Sequence, residues 1–167
     1  MTTHPSNRSG GFTLTELMVT LAIAAILATV AIPTYRQQVE KARKAEAKTN
    51  LSALALLLEQ YNSLYGRYCP DCTDSAAHTY QYKENASGSA TTDQITSWLD
   101  FRPKQATDAG AVRFDYKIVA TADSAYTLTA TSVAGRGAPE NWALTLAEDG
   151  TKTERDLSAG TTSAGWK

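Results

Sequence analysis

Histidine and cysteine are scarce in this 167-residue chain, with two of each. His4 and His78 leave no histidine-centred acid–base constellation in the sequence. No serine elbow, no paired glycines that would cradle a phosphate and no cluster of metal ligands is present either. The chain therefore reads as a non-enzyme, with no cofactor and no metal. Two cysteines, Cys69 and Cys72, are too few for a framework of disulfides. Excess charge of one sign is also missing, since 16 basic residues face 17 acidic ones. That balance argues against a protein whose main task is to coat nucleic acid, although it leaves room for a local basic patch. No internal repeat of solenoid or propeller length is found.

What the chain has is one long apolar run. Phe12 to Ile32 reads FTLTELMVTLAIAAILATVAI and carries a single ionisable side chain, Glu16. A helix over this run spans roughly 30 Å, the hydrocarbon thickness of a bilayer. Ahead of it stands the polar segment MTTHPSNRSGG, with Arg8 and no acid. A positive flank of this kind stays in the cytoplasm and sends the rest of the chain across. A cleaved secretory signal would have a shorter apolar core, with its cut site behind it and no acid inside. A plain anchor accounts for the length but not for Glu16, because a carboxylate within the bilayer costs about 2–3 kcal/mol even on the lenient insertion scale.

The stretch from Gly10 through Gly11-Phe12-Thr13-Leu14-Thr15-Glu16-Leu17-Met18-Val19 resembles the processing motif of type IV prepilins. That resemblance implies that prepilin peptidase cuts after Gly11 and N-methylates Phe12. It further implies that Glu16 neutralises the new ammonium at Phe12 of a neighbouring subunit during assembly. Two charges that are costly alone become tolerable as a pair, which would fix the register of one subunit on the next. Pro33, directly after the run, would mark a bend or a melted stretch in the filament; the plainer reading is a separator between anchor and domain.

Beyond Pro33 helical spacing resumes. Ala47, Leu51, Leu54, Leu58, Tyr61 and Tyr65 form a stripe suited to packing on a sheet. Arg43, Lys44, Glu46, Lys48, Asn50 and Glu59 are expected on the opposite, solvated face, with pairs such as Glu40–Lys44. Gly66 is a candidate C-cap. Residues 67–110 lack clean periodicity and read as a long functional loop, with a short helix near Thr92–Leu99. Strand alternation follows at Val112–Ile118, Tyr126–Thr131 and Trp142–Leu146, with a short fourth strand at Thr151–Glu154. A turn at Asp123-Ser124 and another at Glu148-Asp149-Gly150 imply an antiparallel meander. The expectation is an α+β architecture, the type IV pilin fold, with three to four strands. Its divisions are a leader over 1–11, a transmembrane and polymerisation helix over 12–32, and the soluble half of that helix over 33–65. A connecting region over 66–110 and a sheet with a C-terminal tail over 111–167 complete it.

Cys69-Pro-Asp-Cys72 admits a short structural disulfide, a redox pair or half of a metal site; the disulfide is the plainest in an oxidising compartment. The tail lacks the cysteine with which many pilins close a C-terminal loop, so Trp166 packing or hydrogen bonds must hold it. The resemblance implies a structural subunit of a type IV pilus, a minor pilin serving pilus assembly and through it twitching motility, adhesion or DNA uptake. Its partners would be prepilin peptidase, other major and minor pilins and the inner-membrane assembly platform. The subunit would wait in the inner membrane of a Gram-negative bacterium with its head in the periplasm, and then join an extracellular filament. One alternative is a pseudopilin of a type II secretion system, although the late-loop features of major pseudopilins are not evident. Another is a DNA receptor pilin, with Arg102, Lys104, Arg113, Lys117 and Arg136 as contact candidates.

Overall fold

The computed structural model of the protein describes residues 11–74, 76–103, 111–121 and 125–166. Helix α1 (Leu14–Tyr65) contains Pro33 and continues through it. Proline has no N–H to donate to the preceding turn. In that turn the Thr34 hydroxyl donates to the Val30 carbonyl at 2.9 Å. The chain divides into two compact units, one ending at Val39 and one beginning at Glu40. In the first, Phe12, Leu14, Leu17, Met18, Ile26 and Val30 are all exposed. This part of α1 is long and apolar enough to cross a membrane by length and composition.

The second unit is a helix-on-sheet head. Seven strands, β1 (His78–Glu84), β2 (Ala90–Asp93), β3 (Phe114–Ala120), β4 (Tyr126–Ser132), β5 (Trp142–Ala147), β6 (Lys152–Asp156) and β7 (Thr161–Ala164), form one sheet in the order β2-β1-β3-β4-β5-β6-β7. Every neighbouring pair is antiparallel. Ala47, Leu51, Leu54 and Leu58 of α1 are fully buried, and so are Phe114, Ile118, Leu128 and Leu144 on the facing side of the sheet. Each leucine, isoleucine or phenylalanine here contributes about 1.5–3 kcal/mol on burial, and Ala47 less, which makes this layer the main source of head stability. Gly66 ends the helix at φ 68°, and its N–H reaches the Asn62 carbonyl at 2.7 Å.

The antiparallel α+β expectation holds, but the sheet has seven strands rather than three or four. β1 lies inside the stretch read as a loop. Its alternation of Tyr80, Tyr82 and Glu84 inward against Gln81 and Lys83 is broken as a hydrophobic pattern because one buried position is a carboxylate. β2 and β7 are four-residue polar edge strands, for which alternation carries almost no signal. The helix expected near Thr92–Leu99 is a single turn, closed by the Leu99 N–H on the Ile95 carbonyl at 3.0 Å. Asp93 caps that turn and ends β2. The turn expected at Asp123-Ser124 lies outside the described residues.

Two expectations about α1 are corrected. Tyr65 is 61% exposed rather than core, and it stacks on Tyr61 with ring centroids 4.5 Å apart. Of the polar residues expected on a solvated face, Lys44, Glu46, Asn50 and the exposed Glu59 also hook the helix to the sheet along its flanks. Lys44 pairs with Glu154 at 3.0 Å, Glu46 with Arg113 at 2.9 Å, and Asn50 donates to the Tyr116 hydroxyl at 2.6 Å. Glu59 accepts from the hydroxyls of Tyr68 and Tyr126 at 3.1 and 3.2 Å. Burial and the Glu59 charge hold both phenols above their ordinary range. The Glu40–Lys44 pair is present at 3.5 Å. The exposed positions between Lys41 and Glu59 include Ala42, Ala45, Thr49, Ser52, Ala53 and Leu56, with the charged Lys41 and Glu59 beside them.

Cys69 and Cys72 are joined as a disulfide and packed into the core, with Cα atoms 5.3 Å apart. The tail is held in both expected ways: β7 pairs with β6, and Trp166 donates from Nε1 to the Thr145 carbonyl at 3.2 Å. The Lys152 ammonium lies 4.9 Å from the centre of the Trp166 ring.

Candidate functional site

Two regions carry the residues singled out by sequence, and each belongs to a separate unit. The first is the start of α1. Thr13 is its N-cap, with its hydroxyl accepting the Glu16 N–H at 3.3 Å. The Glu16 carboxylate reaches back to the Thr13 N–H at 2.9 Å and the Thr13 hydroxyl at 2.8 Å. This reciprocal arrangement is a capping box, and it occupies one Glu16 oxygen within the chain. Phe12, Thr15, Glu16, Val19 and Thr20 line one shallow depression. Gly11 has nothing within 4 Å of where a Cβ would stand. Among the described residues, nothing crowds that position.

The second region is the face of the sheet turned away from α1. Register places Gln81 opposite Lys117, Asp115 opposite Thr131, and Lys117 opposite Thr129. Further rows add Thr145 opposite Thr153 and Ala143 opposite Arg155. The result is a threonine-rich surface bearing Lys83, Lys117 and Arg155. Short hydroxyl-bearing side chains keep such a surface flat and rich in donors. A hollow of about 280 Å³ opens in it, lined by Gln81, Lys83, Asp115, Tyr116, Lys117 and Thr131. Asp115 is half-buried there. Burial raises its carboxyl above the usual range, while the charges of Lys83 and Arg136 oppose that rise.

The five cationic candidates do not form one site. Lys117 is exposed and lines the hollow. Arg113 is tied to Glu46 of α1, and the exposed Arg102 pairs with Asp100 at 2.9 Å. Lys104 lies outside the described residues. Arg136 acts as a clasp: its guanidinium donates to the Val112 carbonyl at 2.9 Å and the Glu84 carbonyl at 2.5 Å. The buried Glu84 carboxylate joins the same knot, accepting the Tyr82 hydroxyl at 2.5 Å and the Val112 N–H at 2.9 Å. Gly137, at φ 75°, packs the same loop against Arg43, whose guanidinium hydrogen-bonds the Gly137 carbonyl. A Cβ there would meet that guanidinium at 3.0 Å. Sequence reasoning missed Lys83, Asp115 and Arg155. The alternation Tyr80-Gln81-Tyr82-Lys83 held the signal for Lys83, once the segment is read as a strand.

Residues 6–32 match the prokaryotic N-terminal methylation motif. Residues 33–140 match the family described as type IV minor pilin ComP, DNA uptake sequence receptor. The chain is 45% identical over 65 residues to the type IV major pilin protein PilA of Myxococcus xanthus (strain DK1622), covering 39% of this chain and 29% of that one. It is 36% identical over 85 residues to a fimbrial protein of Moraxella nonliquefaciens, covering 51% of this chain and 54% of that one. The matches thus span about half or less of these curated relatives. No solved structure matches the chain.

Proposed function

The chain belongs to the type IV minor pilin ComP family, the DNA uptake sequence receptors, and from that premise we propose that it is a filament subunit whose head binds DNA through the outer face of its sheet. The observation that carries the DNA reading is the placement of Lys83, Lys117 and Arg155 on one threonine-rich face, in a chain whose overall charge is balanced. Lysine and arginine neutralise phosphates, while threonine hydroxyls and strand edges add positioning contacts. Sheet faces and ribbons are a recognised way of meeting a duplex groove. Filament incorporation follows the N-terminal motif: cleavage after Gly11 by prepilin peptidase, methylation of Phe12, and pairing of that ammonium with Glu16 of a neighbouring pilin. Pro33 supplies a point at which α1 adjusts on assembly. Before assembly the apolar part of α1 holds the subunit in the inner membrane of a Gram-negative cell, head in the periplasm; afterwards the head stands on an extracellular filament. The work is structural and receptive rather than catalytic. The family match favours the pilus over a type II secretion pseudopilus.

The test uses the full chain in detergent micelles and labelled duplex DNA at several salt concentrations. Retention should fall steeply with salt. Replacing Lys83, Lys117 and Arg155 together by Gln should weaken binding strongly and reduce the log–log salt slope by about 2. Arg136→Ala should leave that slope unchanged and lower thermal stability instead, because it unties Val112 and Glu84. A wild-type protein that retains no duplex at low salt would reject the DNA reading.

A further inference from the structure

Asp115 is out of place on a surface that neutralises phosphates. Duplex DNA carries about one negative charge per 1.7 Å of axis, so a carboxylate on the contact plane is repelled wherever it meets backbone. It becomes favourable only where it meets a hydrogen-bond donor. The donors that DNA offers in the major groove are the exocyclic amines of cytosine and adenine; guanine N7 and O6 are acceptors. The hollow places Asp115 with Lys83 from β1, Lys117 on its own strand and Thr131 from β4. That set holds one anionic acceptor beside two cationic donors. A G·C pair presents the complement, a cytosine N4 amine beside guanine O6 and N7.

We infer that the hollow around Asp115 is a base-reading subsite for a G·C pair, with Asp115 accepting from cytosine N4 and Lys117 or Lys83 donating to the paired guanine. The inference rests on the DNA reading above and adds to it the residue that discriminates sequence. Gln81 and Thr131 form the remaining rim and serve as adaptable polar contacts. The charge of Arg136, on the β4–β5 loop, also acts on Asp115, while two of its N–H groups donate to the Val112 and Glu84 carbonyls.

The signature is a pair of effects with opposite signs. Asp115→Ala removes a charge that repels phosphate, so affinity for unselected duplex rises. The same change removes the acceptor for cytosine N4, so preference at one position of the bound site falls by about tenfold. The experiment equilibrates full chain in micelles with a randomised duplex pool, sequences the retained fraction, and measures binding to the starting pool. Wild type should enrich a site with at least one fixed G·C pair. Asp115→Ala should lose the preference at that pair while binding the starting pool more tightly; Asp115→Asn, which keeps an acceptor oxygen, should also bind the starting pool more tightly but retain more of the preference. Lys117→Gln should weaken binding to the starting pool. An Asp115→Ala protein with unchanged preference at every position would overturn the inference while leaving DNA binding intact. Equal weakening on all sequences would overturn it too. Failure of wild type to retain any duplex would instead sink the underlying DNA reading.

Discussion

On one helix, Leu17, Ile23 and Val30 leave 55%, 53% and 69% of their surface exposed, whereas Leu51, Leu54 and Leu58 leave none. Residue type and helical geometry are the same in both stretches, so intrinsic propensity cannot account for the difference. What differs is the cover. The later stretch meets its own sheet, and the flanking Lys44, Glu46, Asn50 and Glu59 are hooked to the strands that supply that cover. The earlier stretch finds no cover among the described residues, and it is long and apolar enough to cross a membrane. One region is thus complete as a fold, and the other is complete only in an assembly.

The sharpest way to break that comparison is at Glu16. Glu16→Gln keeps size and capping capacity, so the helix start and membrane insertion should persist, along with cleavage after Gly11. Filament incorporation should fall by about a hundredfold or more, since a buried charge left without its partner costs around 3–5 kcal/mol. Immunoblots of sheared filaments against membrane-held subunit would measure it. An equal filament fraction in mutant and wild type would mean that the internal capping box is all Glu16 does.

A second test works on the complete region alone. Residues 36–167 should form a soluble, folded α+β head. Within it Phe114→Ala should lower stability by about 3–5 kcal/mol, because the ring is fully buried beneath α1 and packs 5.8 Å from Trp142, centroid to centroid. Urea unfolding followed by circular dichroism would report it. In the full chain the same change should leave processing at Gly11 intact. Loss of processing would show that the two regions are coupled after all.

The smallest effect concerns pH and the outer face. Burial holds the Asp115 carboxyl above its ordinary range, so the folded head keeps that proton to higher pH than the unfolded chain does. Ionisation therefore opposes folding at neutral pH, and the penalty lifts as pH falls through the raised value toward about 4. Asp115→Asn should raise urea stability at pH 7 by less than about 1 kcal/mol and make no difference near pH 3. Asp149 and Asp156, held low by hydrogen bonds within their own turns, should show the reverse dependence, losing stability as pH falls. A head whose Asp115→Asn gain did not depend on pH would remove burial as the cause.

Much of this protein is legible in its sequence alone. The segment Gly11–Ile32 could be read because length, apolarity and a single acid at one offset are properties of consecutive residues. The stripe Ala47–Leu58 followed from helical spacing, and β3, β4 and β5 from alternation. Edge strands of four polar residues were not legible, and β1 was hidden by Glu84. A buried carboxylate looks like a surface residue until its partners, the Tyr82 hydroxyl and the Val112 N–H, are brought to it from elsewhere.

The same limit applied to the outer face. Arg113, Lys117 and Arg136 look alike in the sequence. Folding ties Arg113 to Glu46, locks Arg136 into a clasp, and leaves Lys117 in a hollow with Lys83 and Asp115. The sequence by itself determined the apolar anchor, its processing motif, the helix stripe and the α+β class, because local periodicity and composition encode them. Only the tertiary structure decided which charges are occupied and which face outward, because an ion pair or a buried hydrogen bond depends on residues tens of positions apart meeting within about 3 Å.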